Sequence, residues 1–285
     1  MPEDVERLRR HPRFGEASLH AAVGVVEQYK GNWVLNRLLG DRGRTVLGLA
    51  ILDLHYNRAD EGGLTATNLK QHCTELGICS PGRVTAMLGA LKMLGLLEEV
   101  RGADRRVRRL RPTDRFLALH RDRRRSFFEA LAMLMPEGEQ ALEREGDPDF
   151  VAAHMAAFAR MFVSGMRLVD YVPELEAVFR RDAGMLILMT LAVEARRDGR
   201  DPLAPLAVTI TDLAKRASAS RGHVLSVLRD AEGQAMVVRS GERGEGIAVT
   251  GSLLDAVDRF IAAILMLHLF AIREALAPKA PDSSA

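Results

Sequence analysis

"SPGRVTAMLGALKMLGLLEEV", residues 80 to 100, returns at residues 220 to 240 as "SRGHVLSVLRDAEGQAMVVRS". At a constant offset of 140, Ser80 matches Ser220, Gly82 matches Gly222, Val84 matches Val224 and Leu88 matches Leu228. Ser80 before Pro81 is a strong helix start, because the hydroxyl satisfies a free backbone donor and proline suits the first helical position. Val84, Leu88 and Leu91 then fall on one helical face with Met87 alongside, and Gly82, Ala86 and Gly89 lie opposite, flanked by Arg83 and Thr85. In the second copy Val224, Leu228 and Ala231 form the inner face, while Ser226 and Arg229 point outward with His223 beside them. The chain contains one unit twice.

Working outward, "LTATNLKQHCTELGI" before Ser80 and "VTITDLAKRASAS" up to Ser220 predict a preceding helix in each copy. Thr67-Asn68-Leu69 parallels Thr211-Asp212-Leu213 at an offset of 144, so the first copy carries four extra residues, in the helix or in the turn. After the paired helices, "LLEEVRGADRRVRRLRPT" and "MVVRSGERGEGIAVT" each place short extended runs around a turn, the signature of a hairpin. Apolar-periodic stretches predict helices over residues 18–39, 45–56 and 114–135 in the first unit. In the second, residues 150–179, 182–199 and 252–277 supply the counterparts. The expected division is a polar N-terminal arm over 1–16, a first domain over 17–136, a linker over 137–149, a second domain over 150–277 and a mobile tail over 278–285.

Composition agrees with two helical domains. The 285 residues are 47% hydrophobic and 27% charged, enough apolar material for two cores, and aromatics reach only 5%. The net charge of +2 conceals an uneven distribution, because residues 101 to 125 hold eleven Arg against three Asp. Such a run suits a polyanion. Two cysteines, Cys73 and Cys79, point to a reducing compartment and a cytoplasmic location, packed as small apolar residues. No signal peptide is visible in "MPEDVERLRRHPRF". "FIAAILMLHLFAI", residues 260 to 272, falls short of the roughly 20 apolar residues that a membrane span needs. A helix buried by protein is expected, or one shared with a second copy of the chain.

Two short helices joined by a turn and followed by a hairpin resemble a winged helix-turn-helix. With long helices on both sides, the unit resembles the MarR family of bacterial transcription regulators, over roughly residues 33–135 and 170–277. The resemblance implies a mainly α fold of two tandem winged helix-turn-helix domains, each a three-helix core plus a β-hairpin wing, flanked by long helices in a pseudo-dimeric arrangement. It also implies that the flanking helices make the dimer interface, that the second paired helix enters the major groove of double-stranded DNA and that the wing touches the backbone. Small-molecule effectors are a frequent property of the family, bound between the helical and winged regions.

The expected DNA-binding residues are Ser80, Arg83, Thr85, Arg101, Arg105, Arg106, Arg108 and Arg109 in the first unit, and Ser220, His223, Ser226, Arg229 and Arg243 in the second. Arg83 is the candidate for a guanine contact, since a guanidinium bonds two acceptors on one base edge. Phosphate attraction scales with the number of cations, and the second hairpin offsets Arg239 and Arg243 with Glu242 and Glu245. The first unit is therefore expected to supply most of the affinity. Fusing two heads on one chain predicts a pseudo-symmetric monomer or a homodimer, reading half-sites about one helical turn, roughly 34 Å, apart.

An enzyme is not expected, because no G-x-S-x-G, phosphate-binding glycine loop or H-E-x-x-H is present. Neither a cofactor nor a metal is expected, since His72 beside Cys73 has no further ligand at suitable spacing. The Met and Phe stripe "MAAFARMFVSGM", residues 155 to 166, reads as core before it reads as a ligand pocket. Two other functions fit tandem heads: a plasmid-type replication initiator, and an adaptor whose second unit grips a protein partner.

Overall fold

The computed structural model describes residues 2–30, 42–58, 61–101, 108–164, 168–197, 204–241, 244 and 246–277, with the side chains of 42–45 and 101 left aside. The chain is mainly α, with two small antiparallel hairpins. In order come α1 (Pro2–Arg9), α2 (Phe14–Tyr29), α3 (Arg42–Tyr56), α4 (Ala66–Glu75) and α5 (Pro81–Met93). β1 (Leu97–Arg101), β2 (Arg108–Pro112) and α6 (Asp114–Ala132) complete the first half. The second half holds α7 (Pro136–Glu143), α8 (Pro148–Val163), 3-10 turns at Leu168–Tyr171 and Pro173–Leu175, α9 (Glu176–Phe179), α10 (Gly184–Arg197), α11 (Ile210–Arg216) and α12 (Arg221–Gly233). β3 (Val237–Ser240), β4 (Gly246–Val249) and α13 (Gly251–Leu276) follow.

The two similar segments match down to single hydrogen bonds. Thr65 and Thr209 cap α4 and α11 by accepting from Asn68 and Asp212, and Ser80 and Ser220 cap α5 and α12 by accepting from Arg83 and His223. Each such cap is worth about 1 kcal/mol. After α4 and α11 the chain turns at Gly77 and Ser218, both at positive φ, and Ile78 and Ala219 donate back to Cys73 and Ala214. After α5 and α12 it turns at Gly95 and Ala235, again at positive φ, with Leu96 and Met236 donating to Leu91 and Ala231. Thr113 and Thr250 then donate from the hydroxyl to the Gly95 and Ala235 carbonyls, both at 2.8 Å. Of the four extra residues in the first copy, three lengthen α4 and one lengthens the turn.

The hairpins pair Leu97 with Pro112 and Val237 with Val249. Each is anchored to the segment that leads into its helix pair: Leu110 donates to Leu64, and Leu206 donates to Ile247. Leu97, Leu110, Val237, Ile247 and Val249 face inward and join the core beneath the helices.

The long helices exchange partners between the halves. α2 packs on α6 of its own half and on α10 of the other, while α8 packs on α13 of its own half and on α3 of the other. α1 lies on α13, and α7 lies on α6. Polar ties follow the same exchange: Ser18 of α2 and Arg196 of α10 both donate to Asp258 of α13, at 2.5 and 2.7 Å. As a result, the core beneath α4 and α5 includes Met155 and Ala159 of α8, and the core of the second half includes Ala21, Val25 and Phe128 of the first.

Three expectations need correction. Residues 1–16 are not a free arm, because Val5 and Leu8 of α1 are buried and Arg9 pairs with Asp255 of α13. Residues 137–149 are not a linker: α7 docks so closely that a Cβ on Gly138 would lie 2.1 Å from the Ala132 nitrogen. The apolar run 260–272 needs no second copy to cover it, since α8, α1, α2 and α6 bury it almost throughout. Among the described residues no helix is long and apolar enough to cross a membrane. The tail 278–285 lies outside the described residues.

Candidate nucleic-acid interface

α5 is held by its buried face, where Val84, Leu88 and Leu91 reach the core. Its other face is open, with Gly82, Arg83, Thr85, Ala86 and Gly89 all exposed. Ser80 is engaged as a cap, and Thr85 donates its hydroxyl to the Pro81 carbonyl at 2.9 Å. The face therefore carries Arg83 on a surface of small side chains that allows close approach to another backbone.

Behind α4, Asp53 of α3 anchors the pair. It is 2% exposed and accepts from Asn57 at 2.6 Å and from Arg58 at 3.1 Å, with His72 of α4 3.2 Å away. Burial opposes its ionisation, but the nearby His72 and the bonds from Asn57 and Arg58 prevail and hold the carboxyl below its usual range.

On the first hairpin, Arg108 and Arg109 are exposed, and among the described residues no carboxylate pairs with either. Arg111 is neutralised by Glu98 at 2.6 Å and Lys92 by Glu99 at 2.5 Å. Arg101 pairs with Arg108 in the strand register. Its side chain lies outside the described residues, as do Arg105 and Arg106.

The second unit is differently equipped. His223 does not point outward as expected: its Nε2 lies 2.5 Å from the Asp182 carbonyl, which ties α12 to the preceding half-turn. Ser226 is half-buried, Ser220 is engaged as a cap and Arg229 is exposed with its Nε on the Leu225 carbonyl at 3.3 Å. Arg239 folds back, donating to the Gly244 carbonyl at 3.1 Å beside Glu232. Arg243 lies outside the described residues.

The basic run from 101 to 125 also divides. Arg108 and Arg109 belong to the hairpin, whereas on α6 Arg125 pairs with Glu129 and Glu145, Arg123 stands over the Tyr29 ring, and Arg124 is buried. The sequence holds a signal for this, because Phe116, His120, Arg124, Phe127 and Leu131 share the helical spacing of a buried stripe. Counting charges without that period missed it.

Cys73 is buried, and burial pushes its thiol up to about 12, the opposite of an activated thiolate. Among the described residues no group of His, Cys, Asp or Glu converges as metal ligands. No family model, curated protein or solved structure matches this chain.

Proposed function

We propose that the chain is a sequence-specific double-stranded DNA-binding regulator of transcription, with two winged helix-turn-helix heads fused in tandem. The observation that carries this reading is the juxtaposition, around one small core, of the open face of α5 with the exposed Arg108 and Arg109 of the β1–β2 hairpin. A serine-capped helix with small outward residues suits a groove, and adjacent cations suit the phosphates beside it. The first head carries most of the affinity. The second, with His223 and Arg239 bonded internally, contributes less and tolerates a different half-site.

The test is a titration of the full chain against promoter DNA, with affinity followed as a function of salt. Replacing Arg108 and Arg109 together with Ala lowers affinity across all sequences and reduces the slope of log K against log salt by about 2. An unchanged slope refutes the interface. Genome-wide mapping separates the competing functions: promoter sites support regulation, and a cluster at one origin supports initiation.

A further inference from the structure

A cavity of about 800 Å³ runs between the halves, within the size range of small-molecule sites. Phe260, Ile264 and His268 line it at every fourth residue, so it follows α13 for about 12 Å at the helical rise. Phe127, Phe158 and Phe162 face that trough, and the His268 ring stacks 4.5 Å from Phe158 and 4.9 Å from Phe127. The interior is apolar and elongated.

One end is cationic. Arg124 lines both this cavity and an adjoining one of about 490 Å³, yet it is only 3% exposed, and its Nε and Nη2 have no acceptor among the described residues. Glu145, the carboxylate that lines the smaller cavity with it, bonds Arg125 through Oε2 at 2.6 Å; its Oε1 is unpartnered, and it attracts Arg124 through space without a hydrogen bond to it. His120 lines both cavities as well, and its Nε2 is unpartnered. Of the other charges at the walls, Arg180 pairs with Glu176 and Arg181 with Asp230, Glu75 accepts from Gln71, and Arg123 stands over the Tyr29 ring. A buried guanidinium whose Nε and Nη2 make no hydrogen bond is costly, and an anion that accepts from them lowers that cost. Its planar fork matches a carboxylate.

The feature belongs to one half. Aligning Thr113 with Thr250 sets Arg124 against Ile261, His120 against Val257 and Arg123 against Phe260. The positions aligned with Arg124, His120 and Arg123 therefore carry no titratable group in the second half.

We propose that this cavity binds one unbranched acyl carboxylate of medium length per chain, with its head on Arg124 and His120 and its tail along α13. Leu76, Gly77 and Ile78, the turn between α4 and α5, form part of the wall, so an occupant touches the segment that sets the pose of α5. An effect of the ligand on DNA binding rests on the regulator reading; the binding itself does not.

Calorimetric titration of the full chain with hexanoate, octanoate, decanoate, benzoate and octan-1-ol tests the proposal. Octanoate binds saturably at one site per chain, and each added methylene tightens binding about fourfold. Octan-1-ol and benzoate bind at least tenfold more weakly. Arg124→Met weakens octanoate at least tenfold and raises the melting temperature of the ligand-free protein, because the buried charge is gone. Absence of saturable binding, equal affinity for octanoate and octan-1-ol, benzoate binding as tightly as octanoate, or unaltered binding by Arg124→Met overturns the proposal. Should that variant fail to fold, Phe158→Trp narrows the trough, and unaltered octanoate affinity then overturns it equally. A chain that binds octanoate but no DNA sinks the regulator reading alone; one that binds DNA but not octanoate sinks the pocket alone.

Discussion

Gly95 and Ala235 occupy the same place after the second helix of each pair, at φ of 66° and 53°. Glycine adopts this left-handed conformation freely, whereas a Cβ brings steric cost of about 1 kcal/mol. Nothing lies within 4 Å of a Cβ built on Gly95, so Gly95→Ala isolates the backbone effect. It lowers unfolding free energy by about 1 kcal/mol, and Ala235→Gly raises it by a similar amount, both measured by urea denaturation. Asp53 gives a prediction in pH. Its folded-state carboxyl sits below the unfolded value, so its contribution is present above the unfolded range and disappears as pH falls through the folded one. Asp53→Asn therefore lowers the melting temperature more at pH 7 than at pH 3, and an equal loss at both contradicts the ion pairing described for Arg58.

Among the elements, the helix pairs and hairpins were legible in sequence because their determinants are local. Ser80, Pro81, Ser220 and the spacing of Val84, Leu88 and Leu91 specify a start and a buried face within a few residues. α1 and α7 were misread for a related reason. Val5 and Leu8 are one apolar pair in a charged segment, and α7 buries Gly138 and Ala141, residues too small to create a hydrophobic period. The exposure of the candidate residues was legible in part. Arg83, Arg108 and Arg109 are exposed, as their place in the pattern suggests, but the retreat of His223 and Arg239 depends on Asp182 and Gly244, contacts that no periodicity reports. Arg124 shows the opposite case, a residue whose period disclosed burial and whose charge concealed it.

At the level of the whole molecule, the exchange of α2 and α8 makes the sequence halves different from the folding units. Met155 and Ala159 complete the core beneath α4 and α5, and α2 and α6 complete the core of the second half. Neither half buries its apolar surface alone. Equilibrium unfolding of the intact chain accordingly shows one cooperative transition, with circular dichroism and intrinsic fluorescence coincident and calorimetric and van't Hoff enthalpies equal. Two separated transitions rule out the shared core. Such coupling also explains why domain boundaries drawn at Pro136 and Phe150 find no counterpart in space.

The exchanged helices have a consequence for abundance. An assembly of two separate chains dissociates when diluted, so its assembled fraction falls off steeply as copy number drops. Here the two partners travel on one polypeptide, their mutual concentration is set by the tether rather than by expression, and a handful of molecules per cell stay fully assembled.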